Sequence, residues 1–156
     1  RDAQESRGLG DVYKRQNYEA EGDNRDLEKM GRTEYLLYKQ QFQEVLPRLD
    51  SLIGHCSPGI SDYATLQKAR SLCACFQDEE AAKLLSELKD RSEQGYIKSE
   101  ASFQLAGLKR KQKELQQAKE LYRLLVTDYS GSVYSIEAAK LYRDLEAGEQ
   151  TEVNNL

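Results

Sequence analysis

The sequence predicts an all-α fold: an α-α superhelix of stacked antiparallel helix hairpins, about seven helices in all. Three observations carry that prediction. Leu, Ala, Glu, Lys, Gln and Arg dominate the 156 residues, with two Pro and no Trp, and these side chains lose least on entering a helix. Apolar residues recur at intervals of three and four, and no strand-like alternation competes. Finally, one rhythm returns: Val45-Leu49-Leu52, Ala81-Leu85-Leu88 and Ala118-Tyr122-Leu125 each place a small or β-branched residue four and seven positions ahead of two larger apolar ones. The first members lie 36 and then 37 residues apart, and a fixed period of this size marks a stack of helical repeats.

Each element can be justified in turn. Gly22-Asp23-Asn24 supplies a turn and an N-cap, so a first helix is predicted to start at Asp23 or Asn24 and to carry Leu27, Met30, Leu37 and Tyr38. Gln40-Gln41 is a weak break. A second helix carries Phe42, Val45, Leu49, Leu52 and Ile53, and Pro47 inside it predicts a kink or a later start. Gly54-His55-Cys56-Ser57-Pro58-Gly59 reads as the clearest loop. Ser61 or Asp62 is predicted to cap a third helix bearing Tyr63, Leu66, Ala69, Leu72, Cys73 and Phe76. After a tight turn at Gln77-Asp78, Ala81, Leu84, Leu85 and Leu88 mark a fourth, ended over residues 91–95 with Gly95 as C-cap. Ile97, Ala101, Leu105 and Leu108 mark a fifth helix, and Leu115, Ala118, Leu121, Tyr122 and Leu125 a sixth. Tyr129-Ser130-Gly131-Ser132 is a turn before a seventh carrying Tyr134, Ala138, Leu141, Tyr142 and Leu145. The polar tail, residues 148–156, is expected to fray. Hairpins of this length are marginal alone, so each must lean on its neighbour.

The opening residues obey none of these patterns. Asp11-Val12-Tyr13-Lys14-Arg15-Gln16 back-translates as GAT GTG TAT AAG AGA CAG and resembles the transposon mosaic end used in sequencing libraries. Residues 1–16 are therefore read as a non-native or disordered leader and excluded from the fold. Native material is expected to begin near Asn17, in mid-protein, as a C-terminal fragment. The repeat domain spans residues 17–147.

A family resemblance then becomes specific. Ala101-x3-Leu105-Ala106, Ala118-x3-Tyr122-x2-Leu125 and Asp128-Tyr129-Ser130-Gly131-Ser132 resemble a bacterial tetratricopeptide repeat, in which a small residue opens the second helix and a D-Y-P-G-S-like turn closes the unit. Leu36-Leu37-Tyr38-x3-Phe42-x2-Val45-x3-Leu49 resembles the same unit earlier. Ser130 stands where the family has Pro, Lys109 and Lys113 where it commonly has an aromatic and a Gly, and Val45 where it has Ala. The resemblance implies a right-handed solenoid whose first helices line a concave face. By register, Glu34, Gln67, Arg70, Gln104 and Lys111 are the residues it would offer a partner.

Other chemistry is weaker. His55, Cys56, Cys73 and Cys75 assemble on paper into a zinc site, but C-x-C within a helix aims its two thiols apart, so no metal or cofactor is expected. Three Cys form a poor disulfide framework. The single His has no nucleophile partner in any recognisable motif, and no phosphate-cradling glycine loop occurs, so no enzyme is expected. Lys109-Arg110-Lys111-Gln112-Lys113 is one basic cluster in a chain of net charge −4, read as a solvated helix end rather than a nucleic-acid site. No apolar run approaches the ~20 residues that cross a bilayer. Of ten Tyr, Tyr38, Tyr63, Tyr122 and Tyr142 are predicted to pack. The function expected is a protein-interaction scaffold binding a peptide or partner protein. The alternative is a structural C-terminal cap of a longer repeat protein whose binding or enzymatic region lies upstream; the sequence leaves the compartment open between the cytoplasm and a bacterial cell envelope.

Overall fold

The computed structural model describes residues 28–156, which form seven helices and no strand. The leader, the turn at Gly22-Asp23-Asn24 and Leu27 lie outside the described residues. Helix α1 is described over residues 28–38. It is followed by α2 (Phe42–His55), α3 (Pro58–Ala74), α4 (Asp78–Arg91), α5 (Gly95–Lys111), α6 (Leu115–Thr127) and α7 (Ser135–Asn154). From α2 onward each helix packs on the next in chain order, with a smaller contact between α3 and α5. Connections as short as residues 75–77 leave a helix no course but back along its predecessor, so neighbours are antiparallel.

Three turns are built alike. Gln40, Phe76 and Lys113 have φ of 56°, 61° and 66°, the left-handed region, and no other described non-glycine residue does. Around each, two backbone bonds close the preceding helix. The amide of Phe76 donates to the Cys73 carbonyl (3.1 Å) and that of Gln77 to Leu72 (2.9 Å). Gln40 and Gln41 repeat this on Leu37 and Leu36, and Lys113 and Glu114 on Arg110 and Lys109. This paired closure is the Schellman arrangement, which prefers Gly at its left-handed position. Here three side chains accept that conformation at the same 36- and 37-residue spacing as the buried rhythm.

The rhythm itself is the core. Val45, Leu49, Leu52, Ala81, Leu85, Leu88, Ala118, Tyr122 and Leu125 are all 0–1% exposed. The first helices answer with Ala64, Ala101 and Ala138, each fully buried and each 37 residues after the last. Small residues at those seats let helix backbones approach, which is what a stack of thin hairpins needs.

Several boundaries differ from expectation for identifiable reasons. The expected loop over Gly54 to Gly59 shrinks to Cys56 and Ser57: α2 runs on to His55, and Pro58, with its fixed φ, opens α3 at N1. Pro47 lies within α2, which starts at Phe42 and continues unbroken past it. Ser61 and Asp62 do not cap α3. The Ser61 hydroxyl donates to the Ile53 carbonyl and Asp62 accepts from Ser92. Gly95 begins α5 rather than capping α4. The tail expected to fray is helical through Asn154, held by Glu149, which accepts from Gln116 (2.7 Å) and Lys119 (3.0 Å) on α6. Tyr38 and Phe76 are not packed but 81% and 88% exposed, because the turns that end their helices swing them outward.

Candidate partner-binding face

On α3 and α5 one helix face carries the candidate polar residues: Arg70 is exposed, Tyr63, Glu100 and Gln104 are half-buried, and Gln67 is buried at 9% exposure. Positions spaced at i, i+4 and i+7 share such a face. On α3 they are Tyr63, Gln67 and Arg70, and on α5 Glu100, Gln104 and Gly107, with Lys111 one further turn along.

Two polar clusters lie along these helices, one at Tyr63 and one at Glu100. The Tyr63 hydroxyl donates to the Glu34 carboxylate across the α1–α3 boundary, and Gln67, buried one turn along α3, partly offsets the rise in the Tyr63 pKa. Arg70 lies 3.5 Å from Glu100 across the α3–α5 boundary. Gln104 donates to that same carboxylate oxygen at 3.2 Å, and burial, then the nearby Glu100 charge, raises the phenol pKa of Tyr134, before α7. Tyr134 stacks on Phe103 with centroids 4.7 Å apart, and Phe103 meets buried Tyr122 edge-on at 6.1 Å. The Glu100 cluster is thereby anchored to the core. Burial and then the Glu34 bond push the Tyr63 phenol up to about 12, because both disfavour a phenolate.

Of the five residues expected from sequence, Glu34 meets Tyr63, with Gln67 buried near it, and Arg70 and Gln104 meet at Glu100. Lys111 stands apart at the turn edge, where it pairs with Asp78 at 2.6 Å. Sequence reasoning missed Glu100 and Tyr134 and assigned Tyr63 to packing alone. The signal for Glu100 was present: it falls 37 residues after Tyr63 and one turn before Gln104.

The other candidate groups are dispersed. His55 ends α2 and Cys56 follows it, whereas Cys73 and Cys75 lie at the far end of α3, a helix of 17 residues and so roughly 25 Å long. No group of three His, Cys, Asp or Glu able to hold a metal occurs among the described residues. Burial, then Asp78, pushes the Cys73 thiol up, away from the reactive thiolate. In the basic cluster Lys109 pairs with Glu114 at 3.2 Å and Lys111 with Asp78. No described helix is long and apolar enough to cross a membrane.

No protein-family model matches the chain, and no curated protein or solved structure matches it either.

Proposed function

We propose that this chain is a non-catalytic interaction scaffold of tetratricopeptide type, a right-handed α-α superhelix that binds a peptide or partner-protein segment on the joint face of α1, α3 and α5. One observation supports this above the rest. Residues that repeat in kind from hairpin to hairpin are mostly buried, whereas several positions on the other face differ: Tyr63 becomes Glu100, Arg70 becomes Gly107 and Ala74 becomes Lys111, with Gln67 recurring as Gln104 between them. Fixed backbones with varied side chains are what a stacked scaffold uses to choose a partner. The two polar clusters also hold their side chains before binding, which lowers the ordering cost of association.

The test is selection of peptides from a displayed library against the full chain, then titration of the best binder. Combined replacement of Glu34 and Gln104 by Ala is expected to weaken it at least about tenfold, or roughly 1.4 kcal/mol. Thermal melting should stay unchanged. Undiminished binding would place the partner elsewhere.

A second role is favoured by α7. It keeps the repeat register at Ala138, after Ala64 and Ala101, yet carries Lys140 and Arg143 where α5 carries Phe103 and fully buried Ala106. A cationic side chain in a close-contact seat resists a further helix, so α7 fits a terminal cap. Sequencing the gene on both sides and counting repeats separates a short scaffold from the end of a long one.

A further inference from the structure

The junction where α5 meets the α6–α7 connection differs from its counterpart one repeat earlier. In the earlier junction side chains close the gap. Ser92 donates to Asp62 at 2.8 Å, and the Gln94 amide nitrogen lies 2.6 Å from where a Cβ on Gly59 would stand. Thirty-seven residues on, Tyr129 and Gly131 take the places of Ser92 and Gln94. Ser99, in the place of Asp62, turns its hydroxyl to the carbonyl of Tyr96 at 3.0 Å. Gly131 has no side chain to fill the gap, and an open hollow of about 520 Å³ remains.

Its walls include Tyr96, Tyr129, Val133 and Tyr134, and its one charged lining residue is Glu100. Tyr129 and Tyr134 are packed against the core and so rigid, whereas Tyr96 is 60% exposed at the mouth. Aromatic faces with one carboxylate and no lining cation favour a positive occupant. The partial positive charge at the start of α5 opposes this, but it is about half a charge against the full charge of Glu100. The protein supplies a hint of its own: Arg70, 53% exposed, reaches Glu100 through a single 3.5 Å contact, far from the paired bonds a guanidinium can make.

We propose that this hollow is a side-chain pocket for an arginine of the bound partner, stacked on the tyrosines and paired with Glu100. This rests on the scaffold function above and sharpens it: Glu100 belongs to both the pocket and the second polar cluster, so the pocket is one end of the same face. Arginine is favoured over lysine because its planar head stacks on a ring while its fork meets a carboxylate. The incoming guanidinium competes with Arg70 for Glu100.

The test titrates the full ¹⁵N-labelled chain with N-acetyl-arginine methylamide and, in parallel, with the uncharged citrulline analogue, following backbone amide shifts. Saturable shifts are expected at Tyr96, Ser99, Tyr129 and Tyr134 with the arginine probe, and none with citrulline. Glu100→Gln should weaken the arginine probe about tenfold, Tyr96→Ala two- to fivefold, and Arg70→Ala should tighten it by freeing the carboxylate. Absence of shifts, equal shifts with both probes, or indifference to Glu100→Gln would overturn the proposal. The scaffold function would survive that failure if a selected peptide still lost affinity on replacement of Glu34 and Gln104.

Discussion

The second helices and the first helices of this molecule are built on opposite principles. In α2, α4 and α6 the same three positions hold nearly the same residues three times over, all buried. On the opposite face of α3 and α5 most equivalent positions change, Tyr63 to Glu100 and Arg70 to Gly107, while Gln67 recurs as Gln104. The contrast teaches which residues answer to packing and which are free to answer to something else. A substitution in the first set should be read as stability. One at an exposed position of the second set, such as Arg70, should leave stability nearly unchanged.

That division can be broken from its strongest side first. Tyr122→Ala removes a side chain 1% exposed and should cost about 3–5 kcal/mol, read by urea unfolding. Ala118→Trp and Ala81→Trp overpack equivalent seats and should each cost roughly 1–3 kcal/mol or more. If one is silent and the other severe, the seats are not equivalent. Lys113→Gly should instead stabilise by about 0.5–1 kcal/mol, since glycine accepts the left-handed φ of 66° without strain. Arg70→Ala, on the open face, should change stability by less than about 0.5 kcal/mol.

Tyr63 gives a pH-dependent handle on the same contrast. Its raised value of about 12 means that the folded state holds this proton when the unfolded chain has begun to lose it. The resulting stability is therefore intact below pH 10 and declines as pH rises towards 12. Glu34→Gln should lower the Tyr63 midpoint in an ultraviolet titration but leave it above 10, because burial is the larger cause. A midpoint at 10 in the unsubstituted protein would mean Tyr63 is not in the cluster with Glu34.

The buried half of the molecule was the legible half. A stripe of Val45, Leu49 and Leu52 announces itself because burial restricts residue type, and its recurrence fixed the period. What escaped was local chemistry with more than one outlet. Ser61 and Asp62 have side chains suited to capping, but tertiary partners at Ile53 and Ser92 claimed them. Phe76 looked like the next member of an apolar stripe. The turn that exposes it lacks the glycine that would have marked it. Pro58 and Gly59 read as loop because their neighbours do, although proline suits the first position of a helix. On the open face Glu34, Gln67, Arg70 and Gln104 were reachable through register alone. Glu100 was reachable by the same register, 37 residues after Tyr63, whereas Tyr134 sat on an apolar stripe that gave no cue that it lies beside a carboxylate.

The claim everything rests on is that the hairpins stack in a row. Glu44, Glu80 and Gln117 are exposed and occupy equivalent positions on α2, α4 and α6, so spin labels placed there in pairs report the spacing directly. A stack requires the 44–117 distance to exceed both the 44–80 and 80–117 distances and to approach their sum. A 44–117 distance no longer than the other two would mean a closed bundle and would contradict the account.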